Sequence, residues 1–272
     1  MLNLYTENSA KKDKIMKVKV RKVVNDIVEI IKFWDGAQAV ILQHFAEKDI
    51  YDPNFSITLD VFRDSKIPDK NDRAVAFPGI RYFETSSSKE KDRFLMEDLP
   101  VRISYKDTSR VDSILELTHD DRWLSKERGT YLFHRISTGT VVWSKSDWVD
   151  RVLKKLDNLP EVLWSTWIES CHRRIDHFLG DLGAASLKND LLYFRLSLSG
   201  FLRVVVETLF AVNHMFESGP RVFTASLALM ETLPEGFEAS WESLLREDES
   251  LPPHRKKEIA DILARGVFAL RP

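Results

Sequence analysis

Apolar and polar residues alternate most regularly between Phe55 and Phe62. A period of two is typical of a β-strand with one buried face. The apolar positions, which predict the buried face, are Ile57, Leu59 and Val61. The polar positions form a comb on the opposite face: Ser56, Thr58 and Asp60. We expect this polar comb to face a cleft, because a row of polar side chains is costly to bury in a core.

Other patterns in the first half predict a helix and several short strands. Apolar residues at three- and four-residue spacing predict helix from Lys14 to Glu47. Alternating runs predict further strands over Ile80–Glu84 and Val101–Tyr105. The segments Tyr131–Ile136 and Thr140–Trp143 flank a Ser-Thr-Gly sequence, and this arrangement predicts a β-hairpin.

The pattern changes near Ser146, after which helical spacing dominates and no strand signal persists. Pro or Gly lies near most joints between the predicted helices, as expected for helix ends. The predicted fold class is α+β: an N-terminal domain with a small mixed sheet over 1–146, then an all-α helical bundle over 147–272. A ligand site is expected in the cleft between two such domains.

Charge and cysteine content narrow the function classes. The 272 residues carry 40 Lys and Arg against 42 Asp and Glu, so no global field attracts nucleic acid or a membrane. Cys171 is the single cysteine, which excludes an intramolecular disulfide and a cysteine-based zinc site. The basic N-terminus is not followed by an apolar segment, and the run Phe201–Phe216 is interrupted by charges. We therefore expect a cytoplasmic protein with neither a secretory signal nor a membrane span.

Three carboxylates are candidates for a magnesium site that serves phosphoryl transfer. Two-metal chemistry needs carboxylates that converge on Mg²⁺, which activates the attacking hydroxyl and neutralises the triphosphate. Asp60 is the candidate catalytic residue and metal ligand, and Asp52 and Glu84 are candidates to converge on it. The alternative is that Asp60 is a strand-edge residue held by a loop.

A predicted loop from Thr85 to Arg93 is rich in hydroxyl and basic side chains. Its candidate triphosphate ligands are Ser87, Lys89, Lys91 and Arg93. The alternative is an ordinary solvated connection. The sequence contains no Gly-rich phosphate loop of the GxxxxGK[ST] or GxGxxG type.

The stretch from Phe55 to Val61 resembles the Ser-Asp-x-Asp strand of bacterial nucleotidyltransferase-superfamily proteins with an appended helical domain, among them the antibiotic nucleotidyltransferases. In this resemblance Ser56 and Thr58 occupy the places of the two aspartates, and Asp60 lies one strand step beyond. Ser104 stands near the place of the third carboxylate. The resemblance implies that Ser56 and Thr58 belong to the nucleotide site and that the metal site is depleted.

The function that the resemblance implies is transfer of a nucleoside monophosphate from an NTP to an unidentified acceptor hydroxyl, with Mg²⁺ as cofactor if the protein is active. Three alternatives stay open at this point. The protein is an enzyme of this kind, a catalytically degenerate relative that binds nucleotide or a partner, or a helical interaction protein with an incidental α/β cap. Two or more carboxylates within reach of one metal would favour the enzyme.

Overall fold

A computed structural model describes residues 18–43, 55–116 and 129–270. The chain divides into two compact units, one of Met1–Glu116 with Arg135–Asn158 and the other of Leu117–His134 with Leu159–Pro272. The predicted change from strands to helices near Ser146 is confirmed, because every strand of the described residues ends by Ser144 and only helices follow. The domain limits 1–146 and 147–272 stay a prediction.

The first unit is built on one six-stranded mixed sheet. Its strands are β1 (Ala37–Leu42), β2 (Ile57–Arg63), β3 (Arg81–Thr85), β4 (Lys91–Met96), β5 (Leu99–Asp107) and β6 (Thr140–Ser144). They lie in the order β3-β4-β5-β2-β1-β6. The central pair, β2 and β5, is parallel, and the other neighbours are antiparallel. The predicted α+β class with a mixed sheet is therefore confirmed.

Five helices accompany these strands in the described residues up to Asn158. They are α1 (residues 18–31), α2 (Lys70–Ala76), α3 (Thr108–Glu116), α4 (Gly129–Thr138) and α5 (Trp148–Leu156). Asp69 caps α2, since its carboxylate accepts from the backbone N–H groups of Asn71 and Asp72. Such a cap satisfies N–H groups that have no partner inside the helix.

One face of the sheet forms the hydrophobic core of the first unit. The alternating apolar residues of β2 and β5, among them Leu59 and Ile103, are completely buried there. The apolar stripe of α1, including Ile27 and Ile31, packs into the same core. Each such side chain contributes about 1.5–3 kcal/mol by leaving water. Burial of the apolar side chains thus determines which face of each strand is turned towards the core. The alternating polar side chains then lie on the opposite face of the sheet.

The opposite face, here called the polar face, carries the remaining side chains of β2, β4 and β5. It comprises Thr58, Asp60, Phe62, Lys91, Arg93, Arg102, Ser104 and Lys106. At one end of this face Phe62 is covered by Trp148 of α5, with ring centroids 5.1 Å apart. The Trp148 indole N–H in turn donates to Asp112 of α3 at 3.2 Å. Helices therefore cover the Phe62 end of the polar face.

The second unit contains helices only in the range 160–270. They are α6 (Glu161–Leu187), α7 (Leu191–Val212), a 3₁₀ turn (Pro220–Val222), α8 (Phe223–Leu227), α9 (Phe237–Leu245) and α10 (Pro253–Ala269). Asp190 caps α7 by accepting from the backbone N–H of Tyr193. No helix of the described residues is long and apolar enough to cross a bilayer.

Two predicted elements of the first half are wrong in type. Residues 37–42 continue the predicted first helix but form β1, which pairs with β2 and β6. A Cβ at Gly36 would lie 2.7 Å from the Lys66 carbonyl oxygen, so Gly36 permits a close approach that ends the helix. Residues 131–136 were predicted as a strand of a hairpin and lie in α4. Phe133 and Ile136 are buried three residues apart, which is a helical spacing.

A third correction concerns the predicted loop between Thr85 and Arg93. Its second part is the start of β4, so Lys91 and Arg93 lie on a strand. Asp92 and Phe94 between and beyond them are buried on the core face. Lys91, Asp92 and Arg93 are all charged, so the sequence shows no alternation of apolar and polar residues at the start of β4. Asp92 is buried nevertheless, because polar partners bind its carboxylate.

Candidate functional site

Asp60 is completely buried beneath the polar face and is held by three side chains. Arg135 of α4 forms a bidentate pair with Asp60, in which Nε donates to Oδ2 at 2.7 Å and Nη2 donates to Oδ1 at 2.8 Å. The Gln43 amide donates to Oδ2 at 3.0 Å, and Lys106 Nζ lies 3.0 Å from the same oxygen. Both carboxylate oxygens are therefore occupied by donors from the protein.

The site is assembled from parts of the chain that are far apart in sequence. Ile41 lies opposite Asp60 across β1 and β2, which brings Gln43 to the end of the same strand pair. The Gln43 amide also donates to the Arg135 carbonyl oxygen at 3.1 Å. A Cβ at Gly139 would lie 2.8 Å from that carbonyl oxygen and would collide with Ile41. Gly139 therefore permits α4 to lie close enough to deliver Arg135.

Two cations face one carboxylate at this point. Burial by itself would raise the pKa of Asp60, but the charges of Lys106 and Arg135 more than offset it, and the pKa lies below its usual value. Burial is also the main reason that the pKa of Lys106 is lowered to about 8; Asp60 opposes this shift, whereas Arg135 and Lys91 add to it. Among the ion pairs that the structure describes, one carboxylate is thus shared by two cations.

Further basic residues continue the polar face away from Asp60. The strand register places Lys91 opposite Ser104, and Ser104 opposite Asp60. The next row places Arg93 opposite Arg102, and Arg102 opposite Thr58. Lys91 and Arg93 are exposed. Neighbouring strands lie about 4.8 Å apart, so the backbone of Lys91 is about 10 Å from that of Asp60. This basic surface is continuous with the buried site.

The polar comb predicted from the sequence lies on one side of the strand, as the alternation requires. The Ser56 and Thr58 hydroxyls are 3.1 Å apart and share a hydrogen bond. Ser56 is buried and Thr58 is half-buried. Asp60, in contrast to the expectation that the comb faces a cleft, has no exposed surface. Thr58, the half-buried member of the comb, lies in the row of Arg102 and Arg93.

The other predicted metal ligands do not gather around Asp60. Glu84 is exposed on β3, opposite Arg93 of β4. Two strands separate β3 from β2, so Glu84 is about 14 Å from the row of Thr58. Asp52 lies outside the described residues. Among the described residues no three His, Cys, Asp or Glu side chains are close enough together to hold a metal ion.

The predicted phosphate ligands fall into two groups. Lys91 and Arg93 project from β4 onto the polar face. Ser87 and Lys89 are exposed in the turn between β3 and β4. In that turn the Lys89 N–H donates to the Ser86 carbonyl oxygen at 2.9 Å, and Lys89 has a positive φ of 59°. The structure therefore brings Lys91 and Arg93 next to the site and leaves Ser87 and Lys89 at the hairpin end.

Sequence reasoning missed four residues that the site depends on: Gln43, Arg102, Lys106 and Arg135. A signal existed for two of them, because Arg102 and Lys106 alternate with buried residues along β5. Recognising that β5 runs parallel to β2 would have placed both beside the polar comb. No comparable signal existed for Arg135, which lies 75 residues from Asp60 in the chain.

Comparisons with known proteins show a distant structural likeness. No family model and no curated protein matches the sequence. Among solved structures, the chain is similar to a nucleotidyltransferase-like protein from Exiguobacterium sibiricum 255-15, with 13% sequence identity and a TM-score of 0.48. The match covers 89% of this chain and 71% of that protein.

Proposed function

We propose that the protein is a nucleotidyltransferase-like protein that binds the phosphate groups of a nucleoside triphosphate on the polar face and does not catalyse transfer through magnesium. The observation that carries this proposal is the position of Asp60 between Arg135 and Lys106. In this proposal, cationic side chains neutralise the charge of the phosphates, as a metal ion does in a two-metal enzyme.

The state of Asp60 is the first argument. A magnesium ligand needs a carboxylate oxygen that is free to enter a near-octahedral shell at about 2.0–2.1 Å. Both oxygens of Asp60 already accept from Arg135, and Oδ2 also receives Gln43 and Lys106. A metal ion would have to displace buried donors, and the freed cations would then be unpaired, which is expensive at a buried site.

The charge of the surrounding surface is the second argument. Lys106 lies close enough to Arg135 and Lys91 for both to lower its pKa, so the three cations repel one another. A bound anion would relieve this repulsion, and Arg and Lys are the side chains that proteins use for phosphate. The hydroxyls of Thr58 and Ser104 lie in the same rows and can donate to phosphate oxygens.

Binding is tested by titrating the purified protein with the four NTPs and with inorganic triphosphate, each with and without Mg²⁺. We expect binding without Mg²⁺ and no gain in affinity when Mg²⁺ is added, because the metal neutralises the charge that the polar face recognises. The double variant Lys91→Ala/Arg93→Ala should weaken binding by about thirtyfold or more, since each of the two lost contacts to a charged group is worth about 1 kcal/mol or more.

The matched control is Lys154→Ala/Lys155→Ala, which removes the same charge from exposed positions of α5. An equal loss in both double variants would show a nonspecific charge effect and would contradict the proposal. Transfer of a nucleotide to an acceptor that requires Mg²⁺ and is abolished by Asp60→Asn would establish an enzyme instead. If inorganic triphosphate binds as tightly as every NTP, the protein recognises only the phosphate groups.

A further inference from the structure

The second unit has an open groove of about 770 Å³ that the polar face and its phosphate chemistry do not involve. It lies between the N-terminal part of α7 and the segment from the end of α9 to the start of α10. Its apolar lining includes Leu191, Phe194, Leu198, Leu202, Leu244 and Leu251. This α7–α10 groove is larger than the gaps left in a packed core, which rarely exceed the size of a water molecule.

One wall of the groove is a leucine stripe along α7. Leu191, Leu198 and Leu202 line it at spacings of seven and four residues, which places them on one side of the helix. The eleven-residue separation between the first and the last corresponds to about 16 Å, or three helical turns. This wall of the groove is therefore long enough to lie along about three turns of a bound helix.

The opposite wall is held in place before any ligand arrives. The Lys256 ammonium donates to the carbonyl oxygens of Leu244 and Arg246, which lack partners at the end of α9. The Asp248 carboxylate accepts from the backbone N–H and the hydroxyl of Ser250, at 2.8 and 2.7 Å. Because these contacts fix the segment after α9, binding would require little ordering of this wall.

The rim of the groove carries more carboxylates than cations, because three acidic residues line it together with Arg195 and Lys256. Three consecutive carboxylates, Glu247, Asp248 and Glu249, line it on the α9–α10 side. Arg195 of α7 lies 3.3 Å from Glu247, and both side chains are well exposed, so this contact screens only part of the negative charge. An apolar floor with carboxylates along one edge is complementary to a helix that is apolar on one face and basic beside it.

We propose that the α7–α10 groove receives a short amphipathic helix of a partner protein, with leucine-like side chains against Leu198 and Leu202 and Lys or Arg beside Glu247 and Glu249. This is the helix-in-groove mode of recognition, in which apolar residues at helical spacing supply affinity and charges set orientation. Leu245, which also lines the groove, is 57% exposed, so the apolar surface extends to the rim where such a helix would lie.

The test uses a labelled model peptide of about 16 residues, long enough to span the groove as a helix. The peptide carries Leu at helical spacing and Lys on the flanks; a second version carries Glu in place of Lys, and a third has the Leu positions scrambled. We expect saturable binding of the Lys peptide only, measured by fluorescence anisotropy. Leu198→Glu should weaken it by about tenfold or more, as expected for a central interface residue.

The matched control is Leu196→Glu on the same helix, since Leu196 is 64% exposed and lies outside the groove lining. Glu247→Lys/Glu249→Lys should reverse the preference from the Lys to the Glu peptide, an outcome that misfolding would not produce. Equal binding of the scrambled peptide, an equal loss in both Leu variants, or self-association of the protein that Leu198→Glu abolishes would overturn the proposal. Urea unfolding of each variant identifies any loss that comes from misfolding.

Discussion

Two completely buried aspartates lie in the same sheet, on opposite faces, and each meets an arginine. On the core face Asp92 accepts from Arg73 Nε at 2.8 Å and Nη2 at 3.1 Å, and the Tyr105 hydroxyl donates to it at 2.7 Å. On the polar face Asp60 accepts two hydrogen bonds from Arg135 in the same bidentate geometry. The difference lies in the other partners, because Tyr105 and Thr85 bind Asp92 as neutral hydroxyls, whereas Lys106 adds a second cation at Asp60.

The two sites therefore have different charge balances. Asp92 and Arg73 form a closed pair, and Arg73 is 3% exposed and also donates to the Pro68 carbonyl oxygen. The ion pair of Arg73 and Asp92 links α2 to β4, and its two charges neutralise each other. Around Asp60 two cations share one carboxylate, and Lys91 adds to the positive surface. The same type of residue pair is thus structural where its charges cancel and is suited to anion binding where they do not.

The largest expected effect comes from breaking the closed pair. Asp92→Asn leaves the Arg73 guanidinium buried without its carboxylate, and the loss of one partner from a buried pair costs about 3–5 kcal/mol. We expect this decrease in the free energy of unfolding by urea denaturation, with nucleotide affinity unchanged. Replacing both partners, as in Asp92→Leu/Arg73→Met, should restore most of the stability. A cost below about 1 kcal/mol for Asp92→Asn would contradict the structural role.

A smaller loss of stability is expected at the unbalanced site. Asp60→Asn removes the carboxylate that Arg135 and Lys106 share, but Lys106 retains some exposure and can lose its proton. The expected cost is about 1–3 kcal/mol. Nucleotide affinity should stay the same or increase, since the variant removes a negative charge next to the phosphates. Titration and urea denaturation of the same sample separate the two effects. A large loss of binding in a folded variant would show that Asp60 itself takes part.

The pH dependence of binding sharpens the comparison further. With a pKa lowered to about 8, Lys106 is charged below that pH and neutral above it, whereas the pKa of Asp60 is lowered and this carboxylate stays ionised. Anion affinity should therefore fall severalfold as the pH rises from 7 to 9. Isothermal titration at three pH values checks this, and Lys106→Met should bind with little pH dependence. An unchanged profile in Lys106→Met would assign the effect to another group.

The same pKa makes a prediction about stability with the opposite sign. Lys106 has an ordinary pKa of 10.5, so between about pH 8 and 10.5 the unfolded chain binds more protons at this residue than the folded one. Its contribution to the free energy of unfolding should rise with pH over that window. The difference between the parent and Lys106→Met, measured by urea denaturation at pH 7.5 and 9.5, reports this contribution.

The smallest effect is expected at Glu84. This residue is exposed on β3, and charge changes at such positions alter stability and affinity by about 0.5 kcal/mol at most. Glu84→Gln should therefore change NTP affinity by less than about twofold and leave the response to Mg²⁺ unaltered. Loss of a Mg²⁺-dependent component of binding in Glu84→Gln would show that Glu84 acts as a metal ligand.

Periodicity in the sequence was sufficient for the fold class and for the side of β2 on which Asp60 lies. Alternation over Phe55–Phe62 predicted β2 and the side of it that faces the core, and helical spacing predicted the second half. These predictions succeed because burial of one face imposes a period of two on a strand and of 3.6 on a helix. The same reasoning failed for β1 and α4, whose short apolar runs fit both periods.

The chemistry of the site, in contrast, was decided by tertiary structure. Nothing local to Asp60 indicates that Arg135 will neutralise it, because that contact depends on the register of β1, on the close approach at Gly139 and on the direction of α4. Lys106 reaches Asp60 only because β5 runs parallel to β2. A sequence pattern determines which face of a strand a side chain takes. The charges that surround the side chain on that face depend on packing between segments far apart in the chain. The resulting balance of charge distinguishes the structural pair at Asp92 from the proposed binding site at Asp60.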